Sequence, residues 1–595
     1  LKDLAAARIT LCTSFSDLQN MKSWLGESRD FLAIDTETSG LNRGKDRVRL
    51  IQFADQDTGW ALPYEDYKGF AREVIHEYRG AMVCHNLLYD SSMLKRDGII
   101  IPQHLAHDTL VLAFLKNPAA RLDLKGAATI YVDKRAAVGR GLLEQFMGGG
   151  GYTWGTVPVD APPYWLYGTM DVILTSRLAS KLYPEIMMKY REAYELELGV
   201  IHCLREAELN GLMIDQDYID RATTKLHAEL DALRPQIPCD PMSDKQVVDY
   251  LTGIGVPLFV RTEKGNLSTD KTVMAYFKDR YPVCGLIADY KSKRNQLHNY
   301  LLKFRELAVD NILRASTRPL QAKTGRMSIT APPLQTLPRG RVVRDAIIAR
   351  PGHKILQADF AGMEMRALAS DAREEGMLGA FARGEDIHNF TAASLYGDSF
   401  TKPQRGVCKN AGFAKIYGAG LEQFATTARI PVDEAKAFLE KYDVLFPGVA
   451  AYMQNVVNKV MERAGGKRTG TGWITLIDGR DLPVPGDKAY VATNYRIQGS
   501  CAVVMKRKIV ELDAAGLGEF FRLPVHDEVL FEVPDDLCYD AYHTIKEVMP
   551  DRYSFPGVTL EIDQDVIHRW GDHYRGDDYP KYVETEDQDW LGVAA

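Results

Sequence analysis

The sequence predicts a multidomain α/β protein, and three observations carry that reading. The chain is long, 595 residues with 46% apolar content. It can therefore bury several cores, about three to five units at ordinary domain sizes. Short apolar runs that read as strands end in, or are interrupted by, acids at Asp35, Asp359 and Asp527, and long stretches of helical composition lie between them. The acids fall into two sets, one before residue 172 and one after residue 358. Each set is spaced to hold a pair of divalent metals, which predicts two chemistries on one polymer.

Phe31 to Ile34 is an apolar run ending at Asp35, and the segment from Val48 to Ala54 reads as its neighbouring strand. Asp35 and Glu37 lie two apart, which on a strand turns both side chains to one face. A third acid, Asp90, closes His85-Asn86-Leu87-Leu88-Tyr89-Asp90. Gly148 to Gly151, followed by Tyr152-Thr153-Trp154 and Pro162-Pro163, reads as a flexible loop, with helix resuming near Tyr164. Tyr167 and Asp171 lie four apart on one face of that helix, so the phenol can orient an attacking water beside a metal-bound acid. From Tyr183 to Leu209 the pattern is strongly helical; Pro184 suits a first turn and Asn210-Gly211 a left-handed cap. The main boundary is expected near residue 188. Residues 216 to 313 and 361 to 463 read as helical, and strands return around Gly472 and Val525.

Composition excludes several classes. No stretch approaches the roughly 18 apolar residues of a membrane span, and the start lacks the layout of a signal peptide, so a cytoplasmic protein is expected. Eight scattered cysteines with no C-x-x-C pair support neither a zinc site nor a disulfide framework; reduced, buried thiols are expected. The formal charge of −7 argues against a protein that simply coats nucleic acid. Locally, however, residues 289 to 345 hold twelve Lys/Arg against four acids, and their position between the metal sets favours phosphate contact. The tail from Gly571 carries seven acids and two bases and reads as loosely ordered or partner-binding.

The second set of acids is Asp359, after Lys354-Ile355-Leu356-Gln357-Ala358, and Asp527-Glu528 within the apolar segment from Leu523 to Leu530. Between them, in the segment from Arg405 to Gly418, the key residues recur every four: Arg405, Lys409, Phe413 and Tyr417. On a helix they drift about 40° per step and form a stripe about 18 Å long. Cations suit a triphosphate and flat aromatic faces suit a base, so the stripe matches a nucleotide lengthwise. Taken alone, the helix is better read as amphipathic, with aromatics in the core and cations snorkelling. Asp359 and Asp527 reverse that preference.

Joined in this order, Asp35, Glu37, Asp90, Tyr167 and Asp171 resemble the DEDD-type 3′→5′ exonucleases of proofreading polymerases. The resemblance implies that Asp35, Glu37, Asp90 and Asp171 bind metals, Tyr167 positions water and Asn86 helps hold the strand end. The segment Asp359-Phe360-Ala361-Gly362-Met363-Glu364-Met365-Arg366, the helix just described and Val525-His526-Asp527-Glu528-Val529 look like motifs A, B and C of family A DNA polymerases. Thr324-Gly325-Arg326-Met327-Ser328, Gly384-Glu385-Asp386-Ile387-His388, Asn494 with Gln498-Gly499-Ser500, and Arg569-Trp570 extend the likeness over nearly the whole chain. The implied fold is a ribonuclease H-like exonuclease domain over residues 1–188, followed by a right-hand polymerase domain over 189–595. Its palm is expected at about 189–219, 313–370 and 485–595, its thumb at about 220–312 and its fingers at about 371–484.

By the same resemblance Asp359 and Asp527 hold two Mg²⁺ ions, with Mn²⁺ as a substitute, and Glu528 is an adjacent acid. Arg405 and Lys409 hold the incoming triphosphate, Phe413 and Tyr417 contact its sugar and base, and Glu364 is the steric gate that selects dNTPs. Arg326, Asn494, Gln498 and His526 contact primer-template DNA. No 5′-nuclease domain is expected, since the exonuclease pattern begins at once, and the compact layout is similar to replicative polymerases of tailed phages. Such an enzyme is expected to act as a monomer beside replisome proteins such as a helicase-primase or a single-strand-binding protein. The thumb segment is too short for the insertion by which some phage enzymes recruit thioredoxin. Phe360-Ala361-Gly362-Met363 replaces the more polar Tyr-Ser-Gln-Ile of the bacterial prototype, and Tyr490 stands where the prototype has an arginine. Three other readings, an RNA polymerase, an exonuclease whose second half only holds DNA, and a non-catalytic DNA-binding scaffold, are opposed by Glu364 and by the complete set of Asp359, Lys409 and Asp527.

Overall fold

The computed structural model describes residues 4–571, apart from 263, 339 and 419, together with Leu591. The expectation for the acidic tail beyond Gly571 lies outside the described residues, as does Arg339 of the basic stretch. Among the described residues no helix is long and apolar enough to cross a membrane. The eight cysteines are free thiols, all buried except Cys239, which is partly so.

The first half is built on six strands: β1 (Arg8–Leu11), β2 (Leu32–Thr38), β3 (Val48–Ala54), β4 (Thr58–Pro63), β5 (Met82–Cys84) and β6 (Ala106–Asp108). They form one mixed sheet in the order β1-β4-β3-β2-β5-β6. β3 runs antiparallel to both neighbours and the remaining pairs are parallel. Helices cover the sheet, which is why the central strand β2 is apolar from Leu32 to Ile34 and buried along its length except at Asp35. Four helices carry the rest of the site: α1 (Leu87–Lys95), α2 (Leu124–Tyr131), α3 (Val138–Gly150) and α4 (Pro162–Asn210). α4 packs across β2, β3 and β4.

Two local expectations are corrected here. Gly148 to Gly150 form the last turn of α3, and only Gly151, at φ +64°, leaves the helix as its left-handed cap. α4 does not begin near Tyr183. It runs 49 residues from Pro162, so Pro184 sits inside it, and the chain leaves helical geometry only at Tyr190 (φ −138°, ψ 35°). A proline fits a first turn and a kinked helix equally well by local criteria, and here tertiary packing on both sides of the kink keeps the helix going.

The second half centres on a four-stranded antiparallel sheet of β7 (His353–Phe360), β8 (Phe521–Val525), β9 (Glu528–Pro534) and β10 (Ile562–Ile567), in the order β8-β9-β7-β10. Alternation divides its side chains. Ile355, Leu523, Leu530 and Ile567 face a core that includes Trp570, Tyr300 and Phe304, whereas Leu356, Ala358, Val529 and Phe531 face the larger core. Three helices matter for the site: α5 (Met363–Ala372), α6 (Lys402–Tyr417) and α7 (Ala492–Leu512).

The halves are joined by buried charge as well as by α4. Arg43, in the loop after β2, pairs with Glu208 of α4 at 2.5 Å, and both side chains are at most 5% exposed. Burial still holds the Glu208 carboxyl up at about 7, against the pull of Arg43 and the Thr317 amide. Breaking a buried pair strands the remaining charge, so Arg43→Met is expected to destabilise the chain by about 3–5 kcal/mol. Chemical denaturation measures this, and a change below about 1 kcal/mol would show that the pair contributes little. Deeper in, Glu197 of α4 accepts from Lys506 of α7 at 2.7 Å and pairs with Arg480, also at 2.7 Å.

Candidate active sites

In the first half, Asp35 and Glu37 lie on β2 with Thr36 turned to its other face, and Thr36 does separate work. Its backbone N–H and its hydroxyl donate to Asp90 Oδ1 at 3.0 and 2.6 Å, drawing the first turn of α1 onto the strand. Asn86 caps α1 in the left-handed region at φ +74°. Its N–H and that of Leu87 donate to Asp108 at 2.9 and 2.8 Å, so the backbone of Asn86, tied to Asp108, holds this end of the sheet. Tyr167 and Asp171 come from one face of α4.

Burial pushes the carboxyls of Asp35 and Asp90 well above the usual range, and each is raised further by an acidic neighbour: Glu37 for Asp35, Asp35 for Asp90. Glu37 is pushed up to about 8, by burial first and with Asp90 adding to it, against the pull of Lys125. Such a cluster is short of positive charge, and its hard oxygen donors suit Mg²⁺ or Mn²⁺. Among the described residues, though, no three acids, histidines or cysteines are drawn close enough to hold a metal ion. Lys125 of α2 also enters the cluster, its ammonium pairing directly with Asp171 Oδ1. Burial pushes that ammonium down to about 8 although Asp35 and Glu37 raise it. Nothing in the motif spacing pointed to Lys125; the signal available was a lone lysine in the otherwise uncharged helix Leu-Lys-Gly-Ala-Ala-Thr-Ile-Tyr. The Trp154 ring, 40% exposed, lies 6.3 Å from that of Tyr167.

In the second half, strand register brings the distant acids together. Asp359 is paired across the sheet with Glu528 on one side and Asp563 on the other. The Phe360 N–H donates to the Asp527 carbonyl at 3.1 Å, which ties the turn after β8 to the end of β7. That turn carries His526 at φ +59°, its Nε2 3.1 Å from the Gln335 carbonyl oxygen. Burial raises the Asp527 carboxyl, opposed by Arg326 and His526. Glu528 is differently placed: Trp570 Nε1 donates to its Oε1 at 3.1 Å, and burial pushes it up to about 7. Its carboxylate is thus tied to the Trp570 indole while staying within electrostatic reach of Asp527.

After β7 the chain turns at Gly362, φ +62°, a conformation that favours glycine, and α5 starts at once with Glu364 in its first turn. Glu364 is paired with Arg326 and accepts from the Tyr417 hydroxyl at 3.2 Å. On α6, Val407, Cys408, Ala411 and Ile416 are buried, while Arg405, Lys409, Phe413 and Tyr417 lie on the partly exposed side. The stripe therefore faces outward, and its Tyr417 end reaches Glu364. At its far end Arg405 is held by Asp386 at 2.8 Å and Asn389 at 2.5 Å, and the His388 ring lies 6.2 Å from that of Phe413. Thr324 Oγ1 donates to Gln498 Oε1 at 3.0 Å, and Asn494 Nδ2 is buried without a hydrogen-bond partner among the described residues.

The basic stretch is less free than its count along the chain implies. Lys291 pairs with Asp244, Lys293 with Glu229 and Arg305 with Asp220, acids contributed by neighbouring helices. Arg326 is committed to Glu364, and Arg344 lies over Trp570. Partly exposed pairs of this kind are worth little and can exchange for phosphate.

Comparison with known proteins agrees with this layout. The family described as DNA polymerase family A matches residues 215–573, and one described as 3′-5′ exonuclease matches residues 10–187. A DNA polymerase of Mycobacterium phage D29 is 29% identical over 598 residues, covering 94% of this chain and 96% of its own length. DNA polymerase I of Pseudomonas aeruginosa is 26% identical, covering 93% of this chain and 65% of its own. Among solved structures, the polymerase domain of Pol1 from M. smegmatis, in complex with DNA primer-template and dNTP, superposes with a TM-score of 0.77 at 21% identity, covering 95% of this chain and 99% of that one. Two acid sets, an outward stripe on the helix between Asp359 and Asp527, and these matches agree: the chain belongs to DNA polymerase family A and carries a 3′-5′ exonuclease domain ahead of its polymerase.

Proposed function

We propose that the second half extends a primer from dNTPs at Asp359 and Asp527, and that the first half removes mispaired 3′ ends at Asp35, Glu37, Asp90 and Asp171. The observation that carries the reading is the strand register, in which Asp359 pairs with Glu528 while the Phe360 N–H donates to the Asp527 carbonyl. Asp359 and Asp527 would hold the divalent cations, which supply activation of the primer 3′-hydroxyl and stabilise the leaving pyrophosphate. Lys409 and Arg405 neutralise the triphosphate, and catalysis is positional and electrostatic, with no covalent enzyme intermediate. Arg405 leaves Asp386 to do so, an exchange of one anion for a stronger one. The palm, thumb and fingers keep the limits given above, with the basic stretch along the duplex phosphates, so that binding weakens steeply with salt. Glu528, bound to Trp570 and paired across the sheet with Asp359, is the adjacent acid of this centre.

Primer extension with dNTPs or rNTPs tests the reading. Extension with dNTPs and Mg²⁺ is expected; primer degradation without extension would leave only the nuclease. Two side chains would tune the sugar. Glu364, clamped by Arg326 and Tyr417, is the steric gate in this reading, so Glu364→Ala is expected to raise rNTP incorporation by about 10- to 100-fold relative to dNTP. An unchanged ratio would remove Glu364 from that role. Phe413 has no hydroxyl to replace a missing 3′-hydroxyl, so Phe413→Tyr is expected to raise dideoxynucleotide incorporation. Competition assays with the two nucleotide types check it, and an unchanged preference would refute it.

A further inference from the structure

The exonuclease centre contains a cation that its motifs do not announce. Lys125 is the second residue of α2 and its side chain is 9% exposed. Its ammonium pairs with Asp171 Oδ1 and also lies 4.6 Å from the centre of the Tyr167 ring. Among the described residues Asp171 Oδ1 accepts no hydrogen bond, so the ion pair is the contact that fixes that oxygen. Tyr167 and Asp171 are one turn apart on α4, whereas Lys125 comes from a different helix, so a single side chain clamps both. α2 is itself anchored: Asp123 caps it through the Gly126 N–H at 3.0 Å, and it packs on α4. Burying an ammonium costs several kcal/mol unless anions offset it, and a lysine placed only for solubility would face water.

We propose that Lys125 is a positioning residue of 3′-end cleavage, holding the Asp171 carboxylate and the Tyr167 ring in register with Asp35 and Glu37. The inference rests on the proposed reading of those acids as the exonuclease centre. An ammonium lying on a ring face and against a carboxylate constrains both. Without it, α4 keeps its course but the phenol and the carboxylate lose their common anchor.

The test compares Lys125→Met and Lys125→Arg with the unaltered full chain on a single-stranded oligonucleotide, with primer extension in parallel. In Lys125→Met the cleavage kcat is expected to fall on the order of 100-fold, the cost of a displacement near 1 Å. KM is expected to change by less than about threefold, since substrate grip lies elsewhere. Lys125→Arg, which keeps the charge and the ring contact, is expected to recover to within about tenfold of the original rate. Extension stays unchanged in both. Calorimetric titration with Mn²⁺ alone, in an Asp359→Asn/Asp527→Asn background so that the exonuclease acids report, reads the centre without turnover; losing the ammonium that occupies Asp171 is expected to tighten binding several-fold. Unchanged cleavage in Lys125→Met, equal loss in the Met and Arg variants, or weaker Mn²⁺ binding alongside lost extension would each overturn the proposal, the last two by reducing the lysine to a structural prop. If cleavage instead persists in Asp35→Ala/Glu37→Ala, the reading of the centre has failed and not only the role of Lys125.

Discussion

Asp359→Asn and Asp527→Asn are each expected to reduce dNTP incorporation by at least about 10³-fold, which is the loss of about 4 kcal/mol of transition-state stabilisation. Asparagine keeps the volume and removes the charge, so the reading isolates chemistry from fold. Burial already raises the Asp527 carboxyl, so its ionised form costs the folded state free energy at neutral pH. Neutralising it leaves the melting temperature unchanged or higher. Asp359 is half-buried on a strand paired through its backbone on both sides, and that pairing the substitution does not touch. Single-turnover incorporation measures the effect, with oligonucleotide degradation as the internal control. Incorporation within tenfold of the original enzyme would sink the assignment of these two acids, whatever the family likeness. Glu528→Gln provides the contrast. Its carboxylate already accepts from the Trp570 indole and the amide can do the same, so a reduction of less than about tenfold is expected, by loss of one charge-assisted bond.

What the sequence made legible is what depends on neighbours along the chain. Alternation put Asp35 and Glu37 on one face of β2, and the four-residue recurrence put Arg405, Lys409, Phe413 and Tyr417 on one side of α6. What stayed hidden depends on neighbours through space. Lys125 meets Asp171 from 46 residues away along the chain, and Trp570 reaches Glu528 from 42 residues away. No local pattern marks either meeting. The same holds for charge: a surplus of bases between residues 289 and 345 is a fact about the chain, but Asp220, Glu229 and Asp244 fold onto it and offset part of it. Local rules also misread two boundaries. Pro184 fits a helix start, yet Ile173, Leu174, Leu178 and Leu182 before it and Ala193, Tyr194 and Ile201 after it are all buried, and that packing outweighs one lost hydrogen bond. Gly148 to Gly150 remain helical although each glycine costs about 1 kcal/mol against alanine.

Asp35→Ala combined with Glu37→Ala is expected to abolish 3′-end removal, by at least about 10³-fold, while synthesis continues at the original rate. The separation follows from structure. The exonuclease acids sit on β2, α1 and α4, whereas Asp359 sits on a different sheet and Asp527 in the turn joining two of that sheet's strands. The substitution should not weaken the fold either. Asp35 and Glu37 are held above their ordinary range by burial and, for Asp35, by Glu37 itself, so removing both relieves desolvation and repulsion together. Asp90 loses one repelling neighbour and keeps both bonds from Thr36. Lys125 keeps Asp171, so its ammonium is not stranded. The effect is read as release of the 3′-terminal nucleotide from a single-stranded oligonucleotide, and as retention of a mispaired primer end during extension. Persistent cleavage would place the nuclease elsewhere in the chain. Loss of synthesis together with cleavage would mean that the two halves depend on each other through Arg43–Glu208 and α4, and that two independent sites are the wrong description.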